Sequence, residues 1–138
     1  AIDAPFVHFM GRLENVGAII EGCDFGVFPS TYSGESFPLF ILECFAAGLP
    51  VIASDVGAIR EMLVSETGEV AGALISPTQD KDLMAVELAE AIRRLLCNHD
   101  ALDSARLQAR KRAAHYSINK LVDKYLEIFD SIPVRKTA

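Results

Sequence analysis

The stretch GESFPLFILECFAAGLPVIASD, residues 34–55, decides the fold and places two carboxylates in apolar surroundings. Glu35 stands at its start and Glu43 in its middle, with no basic residue between them. Because a buried carboxylate without a partner is costly, the apolar neighbours of Glu43 predict burial together with a partner for its charge. Arg60 is one candidate partner, and a ligand with a vicinal diol is the other.

Short apolar runs alternate with helical patterns on both sides of this stretch. Strands are predicted at 6–10, 24–30, 50–54 and 73–77. Helices are predicted at 15–22, 37–47, 57–65, 82–96, 101–115 and 118–132. Since alternating strands and helices imply parallel strands joined by crossovers, the fold class is α/β with an open parallel sheet.

The helix at 37–47 follows the carboxyl end of the strand at 24–30, the edge where open α/β sheets bind ligands. Ser36 can cap this helix, Pro38 is tolerated in its first turn, and Gly48 ends it. The unpaired N–H groups and the positive dipole end of such a helix favour a phosphate or another anion.

Glu35 and Glu43 lie about two helical turns apart along the chain, so both can face one ligand. Taken singly, Glu35 is explained more simply as a charge that complements the helix dipole. Glu43 is harder to explain without a partner. The two explanations of Glu35 stay open.

Composition is that of one folded domain spanning residues 1–138, with 51% hydrophobic and 23% charged residues. A net charge of −6 argues against a broad surface for nucleic acid. Three widely spaced cysteines argue against a disulfide framework and a metal knuckle, so a reducing cytoplasm fits best. No apolar run reaches the length of a transmembrane helix, and the expected location is cytoplasmic.

The segment PSTYSGESFPLFILECFAAGLPVIASDVGAIRE, residues 29–61, resembles the signature region of retaining GT-B glycosyltransferases of group 1, the glycogen-synthase and phosphatidylinositol-mannosyltransferase type. That family carries two glutamates separated by seven residues, a small-residue turn and a Pro-Val strand, matched here by Glu35, Glu43, Gly48, Pro50 and Val51. The resemblance extends through most of the chain. It implies the Rossmann-like C-terminal domain that binds the donor in a hexosyltransferase using a UDP- or GDP-sugar and retaining the anomeric configuration.

The resemblance also implies roles for individual residues. Glu35 would be the catalytic-site residue near the donor-sugar hydroxyls, and Glu43 would bind the ribose. Gly34 either lets the backbone approach the ligand or serves a turn that requires positive φ. Ser30, Thr31 and Tyr32 would line the floor of the loop. The backbone N–H groups of four further residues would approach the sugar and the diphosphate: Ser36, Phe37, Leu39 and Phe40. The resemblance implies no bound metal, and the chain has no Asp-rich or His-rich cluster to hold one. No cofactor beyond the donor is expected.

Parts of the family's site lie outside this sequence, so the chain is expected to be an incomplete domain. The Arg and Lys that members place on the diphosphate are absent, as is the domain that holds the sugar or lipid acceptor. The strand at 6–10 would be separated from the others by two missing strands, and would dock elsewhere or pair with a second chain in a homodimer. Four basic residues form a candidate surface for peripheral membrane contact, although a solvated helix face explains them more simply: Arg106, Arg110, Lys111 and Arg112.

Two alternatives to a transferase stay open at this point. One is a non-catalytic module of the same fold that binds a nucleotide or dimerises. The other is a fragment of a sugar-nucleotide epimerase, a class that resembles this sequence less well around Glu43.

Overall fold

The computed structural model describes residues 4–132 and contains a parallel three-stranded sheet. Its strands are β1 (Gly26–Phe28), β2 (Val51–Ser54) and β3 (Gly72–Ile75), in the spatial order β1-β2-β3. Ile52 of β2 lies opposite Val27 on one side and Ala73 on the other. The predicted α/β class with a parallel sheet is therefore confirmed.

The helices occur along the chain in the predicted order. Within residues 4–132 they are α1 (Val16–Ile20), α2 (Leu39–Ala46), α3 (Ile59–Leu63), α4 (Lys81–Leu96), α5 (His99–His115) and α6 (Ile118–Ser131). Side chains cap the starts of three helices: Asn15 accepts a hydrogen bond from the N–H of Ala18, Asp80 accepts from Asp82 and Leu83, and Asn98 accepts from Ala101. In this described part of the chain, none of the helices is both long and apolar enough to cross a membrane.

β2 forms the centre of the core and is fully buried. Val51 and Ala53 pack on one face of the sheet with apolar residues of α1, α2 and α3. Ile52 packs on the other face with residues of α4 and the first half of α5. Since both faces of the strand are covered by helices, its first three residues are all apolar rather than alternating, and Ser54 at its end is buried as well.

Two of the four basic residues proposed for membrane contact are engaged within the protein. Arg112 is buried, and its Nε donates to the Met62 carbonyl at 2.7 Å, at the end of α3. Arg106 forms an ion pair with Asp24 at 2.9 Å. These contacts leave two exposed basic residues of the four, and membrane contact stays a prediction.

The predicted strand at 6–10 is wrong. Residues 7–10 have no regular structure, and the side chains of Phe6 and Phe9 are 82% and 80% exposed. A strand needs a hydrogen-bonded neighbour, and no strand among residues 4–132 pairs with this segment. The outer edge of β1 also pairs with no strand among residues 4–132, so pairing with a second chain stays a prediction.

The predicted start of the second helix is wrong by two residues, and Ser36 does not cap it. α2 begins at Leu39, and Pro38 occupies the capping position with φ −64° and ψ 117° and without a capping side chain. A residue before proline is disfavoured in the helical region, so Phe37 cannot belong to the first turn. At the other end, Gly48 follows the helix with φ +74°, as its conformational freedom predicts.

Cys44 packs α2 closely against β1. A Cβ atom added to Gly26 of β1 would lie 2.6 Å from the Cys44 sulfur, so glycine permits this approach. Burial raises the pKa of the Cys44 thiol to about 12, and the neighbouring charge of Glu43 adds to the effect. Cys23 and Cys97 are exposed, and all three cysteines are free.

Candidate functional site

Three loops meet at the carboxyl edge of the sheet. They are the β1 loop (residues 29–38), the β2 loop (residues 55–58) and the β3 loop (residues 76–80). The side-chain amide of Gln79 in the β3 loop donates to the carbonyl of Thr31 in the β1 loop at 3.3 Å. Because ligands of open parallel sheets bind at this edge, the three loops form the candidate site.

Glu35 is partly buried in the β1 loop and held at both its side chain and its backbone. The hydroxyl of Ser30 donates to Oε1 of Glu35 at 2.7 Å. The N–H of Ala58 in the β2 loop donates to the Glu35 carbonyl at 2.8 Å. Glu35 is thus fixed at the sheet edge, and within residues 4–132 its Oε2 accepts no side-chain hydrogen bond.

Gly57 lets the β2 loop approach Glu35 closely. Its φ is +52°, and a Cβ atom there would lie 1.9 Å from the Glu35 carbonyl oxygen. A side chain at this position would be strained by the backbone conformation and would clash with the backbone of Glu35.

Glu43 is exposed, and its predicted burial is wrong. On α2 the buried side chains are Ile41, Cys44 and Phe45, whereas Leu39 shares the exposed side with Glu43. The almost uniformly apolar sequence of this short helix hides which face is exposed, because polarity does not mark it. Glu43 forms no ion pair or side-chain hydrogen bond within the described residues, so its carboxylate is accessible, but burial no longer argues for a ligand.

Arg60 pairs with Asp55 instead of Glu43. Its Nε donates to the two carboxylate oxygens of Asp55 at 3.0 and 3.1 Å. The hydrogen bond and the charge of Asp55 raise the pKa of Arg60 above its ordinary value. The pair connects the start of the β2 loop to α3 and spans Gly57.

The remaining predicted residues follow the β1 loop into α2. Gly34 has no positive φ, so the explanation by a turn is wrong, and a Cβ atom there would lie 2.5 Å from the ring of Tyr32. Phe40 is half-buried and stacks on Phe28 with 6.1 Å between ring centroids. The other side chains are exposed: Thr31, Tyr32, Ser36, Phe37 and Leu39. What these residues bind stays a prediction.

The amino end of α2 retains two of the predicted backbone donors. Leu39 and Phe40 lie in its first turn, where N–H groups lack helical partners. The next N–H group, of Ile41, donates to the Pro38 carbonyl at 3.1 Å. Phe37 precedes the first turn of α2. Its side chain packs edge-to-face on Tyr116, with the ring centroids 5.3 Å apart. An anion at this end of α2 would therefore meet the N–H groups of Leu39 and Phe40.

Sequence reasoning missed the contacts that support the β1 loop. Gln79 and Thr31 are 48 residues apart, and no sequence pattern relates them. Ala58 acts through its backbone, which leaves no signature in the sequence. Gly57 gave the one usable signal, a glycine shortly after a buried strand.

Two concave surfaces lie away from Glu35 and Glu43. One, of about 500 Å³, lies between β3 and α4 and includes Gly72 and Leu95. The other, of about 340 Å³, lies beside α5 and includes Glu69 and Lys111. Neither includes Glu35, so neither belongs to the candidate site.

A parallel sheet with helices on both faces and three loops meeting at its carboxyl edge defines a Rossmann-like domain. Residues 1–98 match the sequence profile of the family described as "Glycosyl transferases group 1". The chain belongs to this family, and the predicted membership is confirmed.

Individual relatives cover most of this chain. Phosphatidyl-myo-inositol mannosyltransferase of Mycobacterium tuberculosis is 30% identical over 132 residues, which is 94% of this chain and 33% of the relative. An N,N'-diacetylbacillosaminyl-diphospho-undecaprenol alpha-1,3-N-acetylgalactosaminyltransferase of Campylobacter jejuni is 27% identical over 131 residues, 95% of this chain and 32% of the relative. D-inositol 3-phosphate glycosyltransferase of Corynebacterium urealyticum is 28% identical over 120 residues, which is 87% of this chain and 26% of the relative. The chain spans about a third of the length of the first two.

Proposed function

We propose that this chain is the donor-binding part of a glycosyltransferase that moves a hexose from a UDP- or GDP-sugar to a sugar or lipid acceptor with retention. The observation that carries the proposal is the Glu35 carboxylate, fixed at the carboxyl edge of the sheet by Ser30. Family membership and the transferase names of the relatives support the same reaction class.

The proposed donor lies across the carboxyl edge. Its diphosphate sits at the amino end of α2, where the N–H groups of Leu39 and Phe40 and the helix dipole stabilise the charge that develops on the leaving group. Oε2 of Glu35 accepts a hydrogen bond from a hydroxyl of the donor sugar. Glu43 accepts two from the vicinal diol of the ribose. This part of the reaction is positioning and charge stabilisation, without a covalent step on Glu35 or Glu43.

The acceptor and the cations that neutralise the diphosphate belong, in this proposal, to other parts of a longer protein. Holding an acceptor against the donor can supply several kcal/mol of the reduction in the barrier. The role of this chain is to bind and orient the donor.

A non-catalytic dimerising module is the second candidate function. It is favoured by the outer edge of β1, which pairs with no strand among residues 4–132, and by the exposed Phe6 and Phe9. Light scattering on the complete protein, together with calorimetric titration with UDP and GDP, distinguishes the two: a stable dimer without affinity for either nucleotide supports the module and contradicts donor binding.

Glu43→Gln in the complete protein should weaken the nucleotide. Losing charge-assisted hydrogen bonds to the ribose costs roughly 1.5 to 3 kcal/mol, or about 10- to 150-fold in the dissociation constant. Calorimetric titration with UDP and GDP measures it. Glu90→Gln, on the exposed side of α4, is the matched control and should bind as the parent does. Equal affinities of the Glu43 variant and the parent would remove the ribose role.

A further inference from the structure

We propose that Ser30 and Gly57 are positioning residues that orient Glu35, one through its carboxylate and the other through its backbone. The inference rests on the proposed function, because the orientation in question is toward the donor sugar. Ser30 belongs to the β1 loop and Gly57 to the β2 loop, so the orientation is set from two neighbouring strands.

Ser30 selects which carboxylate oxygen is free. Its Oγ accepts a hydrogen bond from the N–H of Tyr32 at 3.2 Å and donates to Oε1 of Glu35 at 2.7 Å. Because Oγ accepts from Tyr32, its single proton is available for the Glu35 carboxylate. The 2.7 Å between Ser30 Oγ and Glu35 Oε1 is the length of a charge-assisted hydrogen bond. With Oε1 occupied, Oε2 is the oxygen that can accept from a sugar hydroxyl.

Gly57 sets how close the backbone of Glu35 lies to β2. A Cβ atom at Gly57 would be 1.9 Å from the Glu35 carbonyl oxygen and 2.8 Å from its carbon, where real Cβ contacts are essentially never under 3.0 Å. Any side chain would therefore displace the β1 loop by about 1 Å and break the 2.8 Å bond from Ala58. A displacement of that size in a positioning element can lower a rate by about a hundredfold.

Two contacts hold the β2 loop, which carries Gly57, in place. Asp55 and Arg60 form an ion pair across it, and the N–H of Asp55 donates to the Ile75 carbonyl of β3 at 2.9 Å. The β2 loop therefore cannot yield easily to a new side chain. The displacement falls on the β1 loop, where Glu35 lies.

The first test compares serine variants of the complete protein. Ser30→Ala should lower kcat about tenfold and leave the KM for the donor within about twofold, since the lost bond orients Glu35 and does not hold the nucleotide. Ser30→Thr keeps a hydroxyl and should restore most of kcat. Ser104→Ala, at an exposed serine of α5 outside the three loops, is the control and should behave as the parent does. A kcat within twofold of the parent in Ser30→Ala, or an equal loss in Ser104→Ala, overturns the proposal.

The second test separates the close contact from backbone strain. Gly57 and Gly68 both have positive φ, +52° and +89°, but a Cβ atom at Gly68 meets nothing within 4 Å. Gly57→Ala should lower kcat about a hundredfold and speed amide hydrogen exchange at Ala58, whereas Gly68→Ala should do neither. Equal effects of the two variants on kcat overturn the role of Gly57.

The failures of the two proposals are distinguishable. A parent protein that transfers no sugar from UDP- or GDP-hexoses overturns the proposed function and this inference with it. A parent that transfers sugar, with Ser30→Ala and Gly57→Ala equally active, overturns the positioning roles alone. If Gly57→Ala does not fold, the Ser30 variants still decide.

Discussion

Replacing Glu35 with alanine in the complete protein should lower sugar transfer by about two to three orders of magnitude and change the affinity for the free nucleoside diphosphate by less than about threefold. The reason is its place in the proposed site, where a carboxylate fixed by Ser30 at the sheet edge acts on the donor sugar and not on the nucleotide. Initial rates with radiolabelled donors, together with calorimetry using UDP and GDP, measure both quantities.

Glu21→Ala is the control, since Glu21 is an exposed glutamate that ends α1, outside the three loops. It should leave both transfer and binding unchanged. If Glu35→Ala instead weakens the nucleoside diphosphate as much as it slows transfer, Glu35 contacts the nucleotide and the assignment to the sugar is wrong.

Phe45→Ala should lower the free energy of unfolding by about 3 to 5 kcal/mol. Phe45 is 0% exposed on α2 and packs in the cluster that also contains Ile41 and Val51, so truncation removes buried apolar surface and leaves a cavity. Urea unfolding followed by circular dichroism measures the difference. A loss of this size is a large part of the stability of a typical domain.

Phe129→Ala makes the same chemical change on an exposed side chain. Phe129 on α6 is 61% exposed, so its truncation should change the free energy of unfolding by no more than about 0.5 kcal/mol. Similar losses for the two variants would contradict the placement of Phe45 in the core.

The sequence predicted the architecture because local patterns and the need for burial agree along β2. The apolar run ending in Ser54 is bounded by Pro50 and Asp55, so both its length and its burial could be inferred. The segment at 6–10 has a similar pattern but pairs with no strand in the described part of the chain, residues 4–132. A strand is defined by its partner, and local sequence does not contain the partner.

The candidate site was predictable in position but not in its internal contacts. The rule that ligands bind at the carboxyl edge of a parallel sheet placed Glu35 correctly at that edge. The exposure of Glu43 was not predictable, because α2 is apolar on nearly every side and polarity cannot mark its outer face. The contacts of Gly57 and Gln79 join loops after different strands, and only the packed sheet brings them together.

The burial of Cys44 makes this side chain a reporter on the opening of the structure. With a thiol pKa of about 12, only a fraction on the order of 10⁻⁵ is thiolate at neutral pH, and the sulfur is shielded between α2 and β1. Cys23 and Cys97 are exposed and should react with iodoacetamide without any opening. The rate at which iodoacetamide alkylates Cys44 would then measure how often α2 separates from β1, the helix and strand that flank the Glu35 loop.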